Sequence, residues 1–367
     1  MNLNELELRN FRNYEYAKLT FDPGVNLIVG DNAQGKTNLL EAIGYLGSGK
    51  SFRAQKTSEM VRFQADFADM EGSVQAQERL QTLRWVLFSG SRPRQIFRNG
   101  VKKKTAGELA GVLPTVLFCP EDLMVLKTGA AQRRRLGDHA LCQLRPNYDA
   151  ALTEYNRILD QKSRILKDHF ENPAVLEILP EYNTRLCQVG ALLISYRARF
   201  YDSLGKAAAK FHGQFSGGAE EFDLSYKTVS TVKDPFASIT VLTQELLDHL
   251  DRHYRAELET GQCLTGPHKD DFSVSLSGID LKAYGSQGQT RTAAISLKLA
   301  QRELMGREMG EEPVLLLDDV LSELDPGRQD FVLNQIVSGQ VFITCCEPGR
   351  FTKLGKTIEI SKGAVRE

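Results

Sequence analysis

Apolar and polar positions along the chain follow different periods in different regions, and each period predicts a different kind of element. Val25–Val29 and Val314–Leu317 are short, almost unbroken apolar runs, which is typical of buried strands. From about residue 70 to 118 the pattern favours further strands, including a tight hairpin at Asn99-Gly100. Between about 123 and 260 helical spacing dominates. The pattern therefore predicts an α/β protein with an inserted helical lobe.

Two runs in the helical stretch have positions spaced alternately by three and four residues, which is the spacing of a seam between packed helices. The positions are Leu152, Tyr155, Leu159, Lys162 and Leu166 in the first run, and Leu186, Val189, Leu193, Tyr196 and Phe200 in the second. Pro173 and Pro180 lie between the runs, where we expect the chain to turn back. A third helix is predicted over Val241 to Leu258. Two or so heptads are too short for a long coiled-coil arm, so we expect a compact lobe.

The segment that follows the strand Val25–Val29 has the residues of a phosphate-binding loop. A glycine-bounded loop ends in Lys-Thr and leads into a helix, which is the context that a P-loop requires. Glycines let backbone N–H groups point at phosphate oxygens, and the helix N-terminus adds a favourable dipole. Lys36 would reach the β- and γ-phosphates of ATP, and the Thr37 hydroxyl would complete a Mg²⁺ shell. The residues predicted to bind the nucleotide here are Gly30, Asp31, Asn32, Ala33, Gln34, Gly35, Lys36 and Thr37.

Two carboxylates stand at the carboxyl end of the second apolar run. Asp318 would hold Mg²⁺, directly or through water, as the acid at the end of this strand does in P-loop ATPases. Asp319 is then placed to polarise the attacking water as a general base. These acids lie far beyond Lys36 in sequence, which is explained if the helical lobe is inserted between two halves of one nucleotide-binding domain. We therefore predict domains at 1–122, 123–260 and 261–367.

A small polar loop, Ser286-Gln287-Gly288-Gln289, precedes a helix shortly before the acidic strand. Such a loop is by itself more often only a helix cap. Its place in the chain, after the insertion and one helix before Asp318, makes it a candidate nucleotide-binding element.

The formal net charge is −1, so any nucleic-acid partner would be held by local basic patches. Two such patches are candidate DNA contacts: Arg92, Arg94, Arg98, Lys102, Lys103 and Lys104 in the first, and Arg133, Arg134 and Arg135 in the second. The lysines of the first could equally protect the edge of a sheet from aggregation. The arginines of the second could simply be solvated, and three adjacent arginines on a helix cannot all share one face.

Targeting and redox signals point to the cytoplasm. The first residues lack the basic and apolar regions of a signal peptide, and no apolar run is long enough to cross a bilayer. Six cysteines without a C-x-x-C pair predict reduced, buried thiols, and not a disulfide framework or a zinc site.

The order of P-loop, helical insertion, Ser-x-Gly-Gln loop, Asp-Asp strand and Ser-Glu-Leu-Asp resembles the ABC-type ATPases, including the SMC and DNA-repair branch. Within that class the chain resembles the RecF family over essentially its whole length. The resemblance rests on Asn10–Tyr14, Gly30–Ala42, Pro120–Leu123, Arg133–Arg135, Gly266–Asp271 and Ser286–Arg291. It implies an ABC-type ATPase head with a mixed sheet and a head-to-tail homodimer that encloses two ATP molecules. Ser286–Gln289 would then meet the γ-phosphate of the nucleotide held by the other protomer, with Asp325 beside the same interface, and Arg12 and Asn13 would approach the nucleotide.

The same resemblance implies an ATP-dependent DNA-binding protein of recombinational repair, replication-fork maintenance and the SOS response. It would bind double-stranded DNA and single-strand gaps, act with RecO and RecR, and favour loading of RecA. Lys36, Ser286 and Asp319 would carry the ATPase chemistry as a weak, DNA-stimulated switch. Asp319 stands where most ABC ATPases have glutamate, so we expect slow hydrolysis. Gln287 replaces a usual glycine, and the customary histidine and glutamine are missing near Cys345-Cys346 and Pro120-Glu121.

Two other functions are compatible with a P-loop. A phosphotransferase acting on a small metabolite would need an arginine lid and an acceptor pocket, but not the Ser286–Gln289 loop. A transporter-type ABC subunit should carry the interlobe glutamine and a surface for a membrane partner, and neither is evident in the sequence.

Overall fold

The computed structural model describes residues 1–336, 338–346 and 349–366. It contains two compact units, the first formed by residues 1–123 and 298–367 and the second by residues 124–297. In the described part of the chain, no helix is both long enough and apolar enough to span a membrane.

The first unit contains the elements from both ends of the chain, and the second unit contains those between them. The strands are β1 (Asn2–Phe11), β2 (Tyr14–Thr20), β3 (Val25–Val29), β4 (Phe67–Ala76), β5 (Arg79–Phe88), β6 (Gln95–Arg98), β7 (Val101–Lys103), β8 (Thr115–Phe118), β9 (Phe222–Lys227), β10 (Asp271–Leu276), β11 (Ile279–Asp280), β12 (Val314–Leu317), β13 (Val341–Cys345), β14 (Gly355–Ser361) and β15 (Ala364–Arg366). The α-helices are α1 (Lys36–Ser48), α2 (Ala130–Leu144), α3 (Pro146–Asp168), α4 (Leu179–Ser216), α5 (Ile239–Thr260), α6 (Leu281–Tyr284), α7 (Gln287–Met309) and α8 (Pro326–Gln335).

The first unit contains a mixed sheet in the order β15-β14-β3-β13-β12-β8. Strands β14, β3, β13, β12 and β8 run parallel, and only β15 is antiparallel to its neighbour. Strands β12 and β13 are buried along their whole length, which explains their unbroken apolar sequence. Because parallel strands end at the same edge of a sheet, this edge gathers the residues that follow β3, β12 and β13.

A second sheet of the first unit has the order β2-β1-β4-β5-β6-β7 and is antiparallel throughout. Its core packs against α1, where the buried Trp85 ring donates a hydrogen bond from Nε1 to the Leu46 carbonyl at 3.0 Å. The predicted hairpin at Asn99-Gly100 is confirmed, and both residues have positive φ (52° and 74°) as a tight hairpin requires.

The second unit combines helices α2 to α6 and the first part of α7 with a small sheet in the order β11-β10-β9. Helices α3 and α4 pack together, as the seam spacing predicts, and α5 also packs against α4. Helix α5 extends slightly beyond the predicted helix at both ends. The seam residue Lys162 is fully buried and pairs with the fully buried Glu257 of α5 at 2.6 Å. Strand β9 lies in the stretch that was expected to be helical.

The two units divide the chain differently from the predicted domains. Residues 261–297 belong to the second unit, whereas the sequence placed them with the C-terminal part of the ATPase domain. The reason is strand pairing: β10 pairs with β9 along its whole length. The loop Ser286–Gln289 is consequently part of the second unit.

Candidate nucleotide-binding site

The glycine-bounded loop connects β3 to α1 in the first unit. Gly30 and Gly35 have φ values of 156° and 119°. A Cβ at Gly30 would lie 2.2 Å from the Ile360 carbonyl oxygen, and one at Gly35 would lie 2.7 Å from the Asn13 amide, so neither position accepts a side chain. Helix α1 begins at Lys36, and no side chain caps its N-terminus. Backbone N–H groups of its first turn are therefore available to bind an anion.

The side chain of Lys36 is held over this loop by backbone carbonyls of the loop. Its Nζ donates to the Gly30 carbonyl at 2.6 Å and to the Asp31 carbonyl at 3.0 Å. The Sγ of Cys346, the residue after β13, lies 3.4 Å from the same Nζ and 3.0 Å from Asn32 Oδ1. Cys346 is exposed, so the prediction that all the thiols are buried is wrong at this position. The lysine is therefore positioned over the loop by contacts within the protein.

Thr37, Asp318 and Thr344 form a hydrogen-bonded triad at the carboxyl edge of the parallel sheet. The hydroxyls of Thr37 and Thr344 donate to Asp318 Oδ1 at 2.9 and 3.0 Å. Burial raises the pKa of the Asp318 carboxyl, and the hydrogen bonds from Thr37 and Thr344 oppose that rise. Hydroxyl and carboxylate oxygens are ligands that Mg²⁺ prefers, and the two residues predicted to hold it lie within hydrogen-bond distance of each other. The donor set therefore fits Mg²⁺.

Thr344 is a site residue that the sequence analysis missed. Its hydroxyl also accepts a hydrogen bond from the Asp319 backbone N–H at 2.8 Å. Asp319 has a left-handed backbone with φ of 53°, which is unusual for a residue with a side chain. The Ser322 hydroxyl donates to the Asp319 carbonyl at 2.6 Å and to Oδ1 at 3.1 Å. Strand pairing between β12 and β13 brings Thr344 to this edge, and only that non-local pairing identifies it.

Arg12 and Asn13 follow β1 and support the loop from the side. Asn13 Nδ2 donates to the Gln34 carbonyl at 2.9 Å, so it buttresses the loop backbone. Arg12 forms two hydrogen bonds with the fully buried Glu41 of α1, at 2.8 and 2.7 Å, and a third with the Glu59 carbonyl at 2.7 Å. Direct contact of either residue with a nucleotide stays a prediction, because their observed contacts are structural.

Asp325, predicted to lie beside the dimer interface, caps α8. Its carboxylate accepts a hydrogen bond from the Arg328 backbone N–H at 3.1 Å and pairs with the Arg328 guanidinium. The hydrogen bond to the Arg328 side chain lowers the pKa of Asp325. Its side chain is half-exposed, so it remains accessible to a partner.

The loop Ser286–Gln289 forms the N-terminal turn of α7 in the second unit. The Ser286 hydroxyl accepts from the Gln289 backbone N–H at 3.2 Å, and the Ser286 backbone N–H donates to Gln289 Oε1 at 3.0 Å. This reciprocal pair is a capping box. Ser286 and Gln287 are exposed, whereas Gly288 and Gln289 are half-buried. The hydroxyl and the loop backbone therefore face solvent in a fixed shape.

The first basic patch lies on and beside the hairpin β6–β7, and all of its residues except Arg98 line a cleft of about 580 Å³. Arg92, Lys102 and Lys104 are exposed, and Lys103 is half-buried. The other two residues of the patch have partners within the protein. Arg94 stacks on the Trp85 ring and bonds to Tyr45, and Arg98 donates to Gln81.

The second basic patch, on α2, is divided by burial. Arg133 is 2% exposed and makes a bidentate ion pair with Asp271 at 2.6 and 2.7 Å, so the prediction that it contacts DNA is wrong. Arg134 is half-buried and donates to the Asp270 carbonyl, whereas Arg135 is exposed. Only Arg135 of the three is fully presented to solvent.

A model of the family described as RecF/RecN/SMC N terminal domain matches residues 2–366. The DNA replication and repair protein RecF of Agathobacter rectalis is 39% identical over 370 residues, covering 100% of this chain and 99% of that protein. The chain belongs to the RecF family. A solved structure of the recombination mediator protein RecF, described as RecF-ATP in the RecFOR pathway, has a TM-score of 0.90 and 35% identity, covering 99% of this chain and 96% of its own. An Smc head domain from Pyrococcus furiosus, with a TM-score of 0.55 and 16% identity over 99% and 95% of the two chains, shares the fold alone.

These findings confirm the resemblance to the RecF family and the predicted ABC-type ATPase fold. RecF relatives are named as DNA replication and repair proteins, and one RecF structure is described with ATP.

Proposed function

We propose that this chain is an ATP-dependent DNA-binding protein of recombinational repair and replication-fork maintenance. The observation that carries the ATP-dependent part of the proposal is the convergence of Lys36, Thr37, Asp318 and Thr344 around one phosphate-binding loop. The DNA-repair part is supported by the names of the RecF relatives. Lys36 and the α1 N-terminus would neutralise the β- and γ-phosphates, and Thr37 with Asp318 would hold Mg²⁺. The RecF structure described with ATP supports this assignment.

The proposal includes a head-to-tail homodimer in which Ser286–Gln289 of one copy meets the γ-phosphate bound by the other. The exposed Ser286 hydroxyl and the capped α7 N-terminus favour this role, because they present a donor and a positive dipole end to solvent. Asp319 would activate the attacking water. Its side chain is one methylene shorter than glutamate, so we expect slow hydrolysis that resets the dimer.

The mass of the protein in solution tests the nucleotide part. Wild type should be a dimer with ATP-Mg²⁺ and a monomer with ADP or without nucleotide, measured by sedimentation equilibrium. Lys36→Ala should neither bind ATP nor dimerise. Ser286→Arg should bind ATP as a monomer, because the added bulk would clash only across the interface. A wild-type chain that stays monomeric with its pocket full of ATP would contradict the proposed dimer.

The DNA partner would be duplex DNA next to single-strand gaps, where the dimer would act with RecO and RecR to favour loading of RecA. Contacts should be mainly to phosphates, through the exposed lysines of the β6–β7 hairpin and Arg135. The patch that contacts DNA is identified by measuring the DNA affinity of three variants: Lys102→Ala, Lys104→Ala and Arg135→Ala. Each true contact that is lost should reduce the slope of log affinity against log salt by about 0.9. An affinity for gapped DNA that does not depend on salt would refute this part of the proposal.

A further inference from the structure

The side chain of Gln289 holds the Ser286–Gln289 loop closed. Its Oε1 accepts from the Ser286 backbone N–H at 3.0 Å, while its Nε2 donates to Glu220 Oε1 at 2.8 Å. The two ends of one amide thus join the start of the loop to a residue 69 positions earlier in the chain.

Glu220 decides which way this amide points. An ionised carboxylate can only accept hydrogen bonds, so it selects the amide nitrogen and leaves the amide oxygen for the Ser286 N–H. The hydrogen bond from Gln289, followed by that from His212, lowers the pKa of Glu220 and keeps it ionised. If the Glu220 carboxylate were removed, the Gln289 amide could rotate and give up its hydrogen bond to the Ser286 backbone N–H.

His212 anchors Glu220 to the core of the second unit. The ring is fully buried near the end of α4, and its Nε2 lies 2.9 Å from Glu220 Oε2. Because the carboxylate accepts, this nitrogen carries the proton and donates it. The ring also packs beside Phe222 of β9, with the centroids 5.5 Å apart. The orientation of Glu220 is therefore fixed by a rigid element.

Lys127 holds the opposite flank of the loop. Its Nζ donates to the Gly285 carbonyl at 2.9 Å and to the Lys282 carbonyl at 3.1 Å. Gly285 directly precedes Ser286, and Lys282 lies in the short helix α6 that ends one residue before Gly285. An ammonium group is favourable at the C-terminus of a helix. The loop is thus fixed on both sides by charged residues that lie outside it.

We propose that Glu220, oriented by His212, and Lys127 are positioning residues that hold the Ser286–Gln289 loop in the shape that receives the γ-phosphate of a nucleotide bound to a second copy of this chain. The inference rests on the proposed function. Its physical basis is preorganisation: a loop that is already ordered loses less conformational freedom when the dimer closes. Neither residue would contact the nucleotide.

The first test compares Glu220→Ala with Glu221→Ala by sedimentation equilibrium in ATP-Mg²⁺. Glu221 is the matched control, because it is an exposed neighbouring acid with the same charge. The homodimer uses two of these loops, so Glu220→Ala should weaken ATP-driven dimerisation about tenfold for each loop and about a hundredfold in all, as expected for loss of one hydrogen bond to a charged group in each, while Glu221→Ala should not. Glu220→Gln should recover only part of the loss, because its amide oxygen can still accept from Gln289 but its amide nitrogen then faces the N–H of His212. Lys127→Met should weaken the dimer in the same direction.

The second test asks whether one variant copy can supply the loop that another variant copy lacks. A variant that is merely misfolded would not be rescued by such a partner. Tagged Lys36→Ala has no working P-loop but an intact Ser286–Gln289 loop, so in ATP it should retain Glu220→Ala, just as it retains Ser286→Arg. Tagged Ser286→Arg should not retain Glu220→Ala, because both copies would then lack a competent loop. ATP binding by monomeric Glu220→Ala, measured with a fluorescent nucleotide, should equal that of wild type.

The outcomes separate the two proposals. If wild type dimerises but Glu220→Ala dimerises equally well, the positioning role is wrong. The same conclusion follows if tagged Lys36→Ala retains Ser286→Arg but not Glu220→Ala, because the defect then lies outside the loop. If wild type does not dimerise with ATP, the proposed function itself fails.

Discussion

Arg12 offers a quantitative test of how the P-loop helix is held. Its guanidinium forms a bidentate pair with Glu41, which is completely buried on α1, while the arginine side chain is 20% exposed. The Ser51 hydroxyl donates to the same carboxylate at 2.5 Å. Replacing Arg12 by alanine removes the counter-charge and leaves a carboxylate buried with one remaining side-chain donor.

The expected cost follows from this burial. Removing one partner of a fully buried ion pair destabilises a protein by about 3–5 kcal/mol. Arg12 is partly exposed and Ser51 remains, so we expect the low end, about 3 kcal/mol. In a domain of this size, each kcal/mol shifts the melting temperature by about 2–4 °C, so Arg12→Ala should lower it by roughly 6–12 °C.

Thermal and urea denaturation without nucleotide measure this effect. Arg9→Ala is the matched control, because Arg9 lies three residues earlier, on β1, and pairs with Glu7 on the surface, where an ion pair contributes little. The double variant Arg12→Ala/Glu41→Gln should recover about 2 kcal/mol, since an amide is cheaper to bury than an unpaired carboxylate. Two results would contradict this reasoning: Arg12→Ala melts at the same temperature as Arg9→Ala, or Glu41→Gln recovers none of the stability lost in Arg12→Ala. In either case the ion pair between Arg12 and Glu41 does not hold α1, and Arg12 is free for another role.

Three further predictions test other parts of the molecule. Asp319→Asn should bind ATP-Mg²⁺ and remain dimeric after wild type has returned to monomer; a monomer at saturating ATP, followed by light scattering, would contradict its role as general base. Lys162→Met should destabilise the second unit by about 3–5 kcal/mol because it leaves Glu257 buried without its partner, and Lys162→Met/Glu257→Gln should lose less in urea unfolding. Burial lowers the pKa of His268 from 6.5 to about 4, so the unfolded chain takes up a proton that the folded chain refuses. Stability should therefore fall as pH drops from 6.5 towards 4, by at most roughly 3 kcal/mol, and His268→Gln should make that fall shallower; an unchanged profile would contradict it.

Residues that are close together in the sequence were sufficient to predict the phosphate-binding part of the site. The loop that ends in Lys36 and Thr37 lies within eight residues, and its glycines, strand and helix are all adjacent in the chain. Asp318 could be assigned because it directly follows a buried apolar strand. The alternation of Phe222, Leu224 and Tyr226 also signals strand β9, but the stronger helical periodicity on both sides hid it.

Pairing between distant segments explains what the sequence did not reveal. Thr344 reaches the site only because β13 lies between β3 and β12, and no spacing rule encodes that order. Composition marked Arg133 as part of a basic surface, but a bidentate partner 138 residues later buries it. The contact between Glu220 and Gln289 likewise depends on where β9 begins, and not on either local motif.

The side chains that would bind ATP-Mg²⁺ have polar partners that a charged ligand can replace. Lys36 bonds to two neutral carbonyls, and Thr37 bonds to Asp318. A triphosphate offers Lys36 full negative charge in place of carbonyl dipoles, and charge-assisted bonds are about twice as strong as neutral ones. Thr37 and Asp318, whose oxygens lie 2.9 Å apart, would hold Mg²⁺ and so supply a counter-charge for the phosphates. We expect the loop to bind the ligand without refolding. The order of the Ser286–Gln289 loop would therefore affect dimerisation, when a second copy closes over the bound ATP, and not the binding of ATP by the monomer.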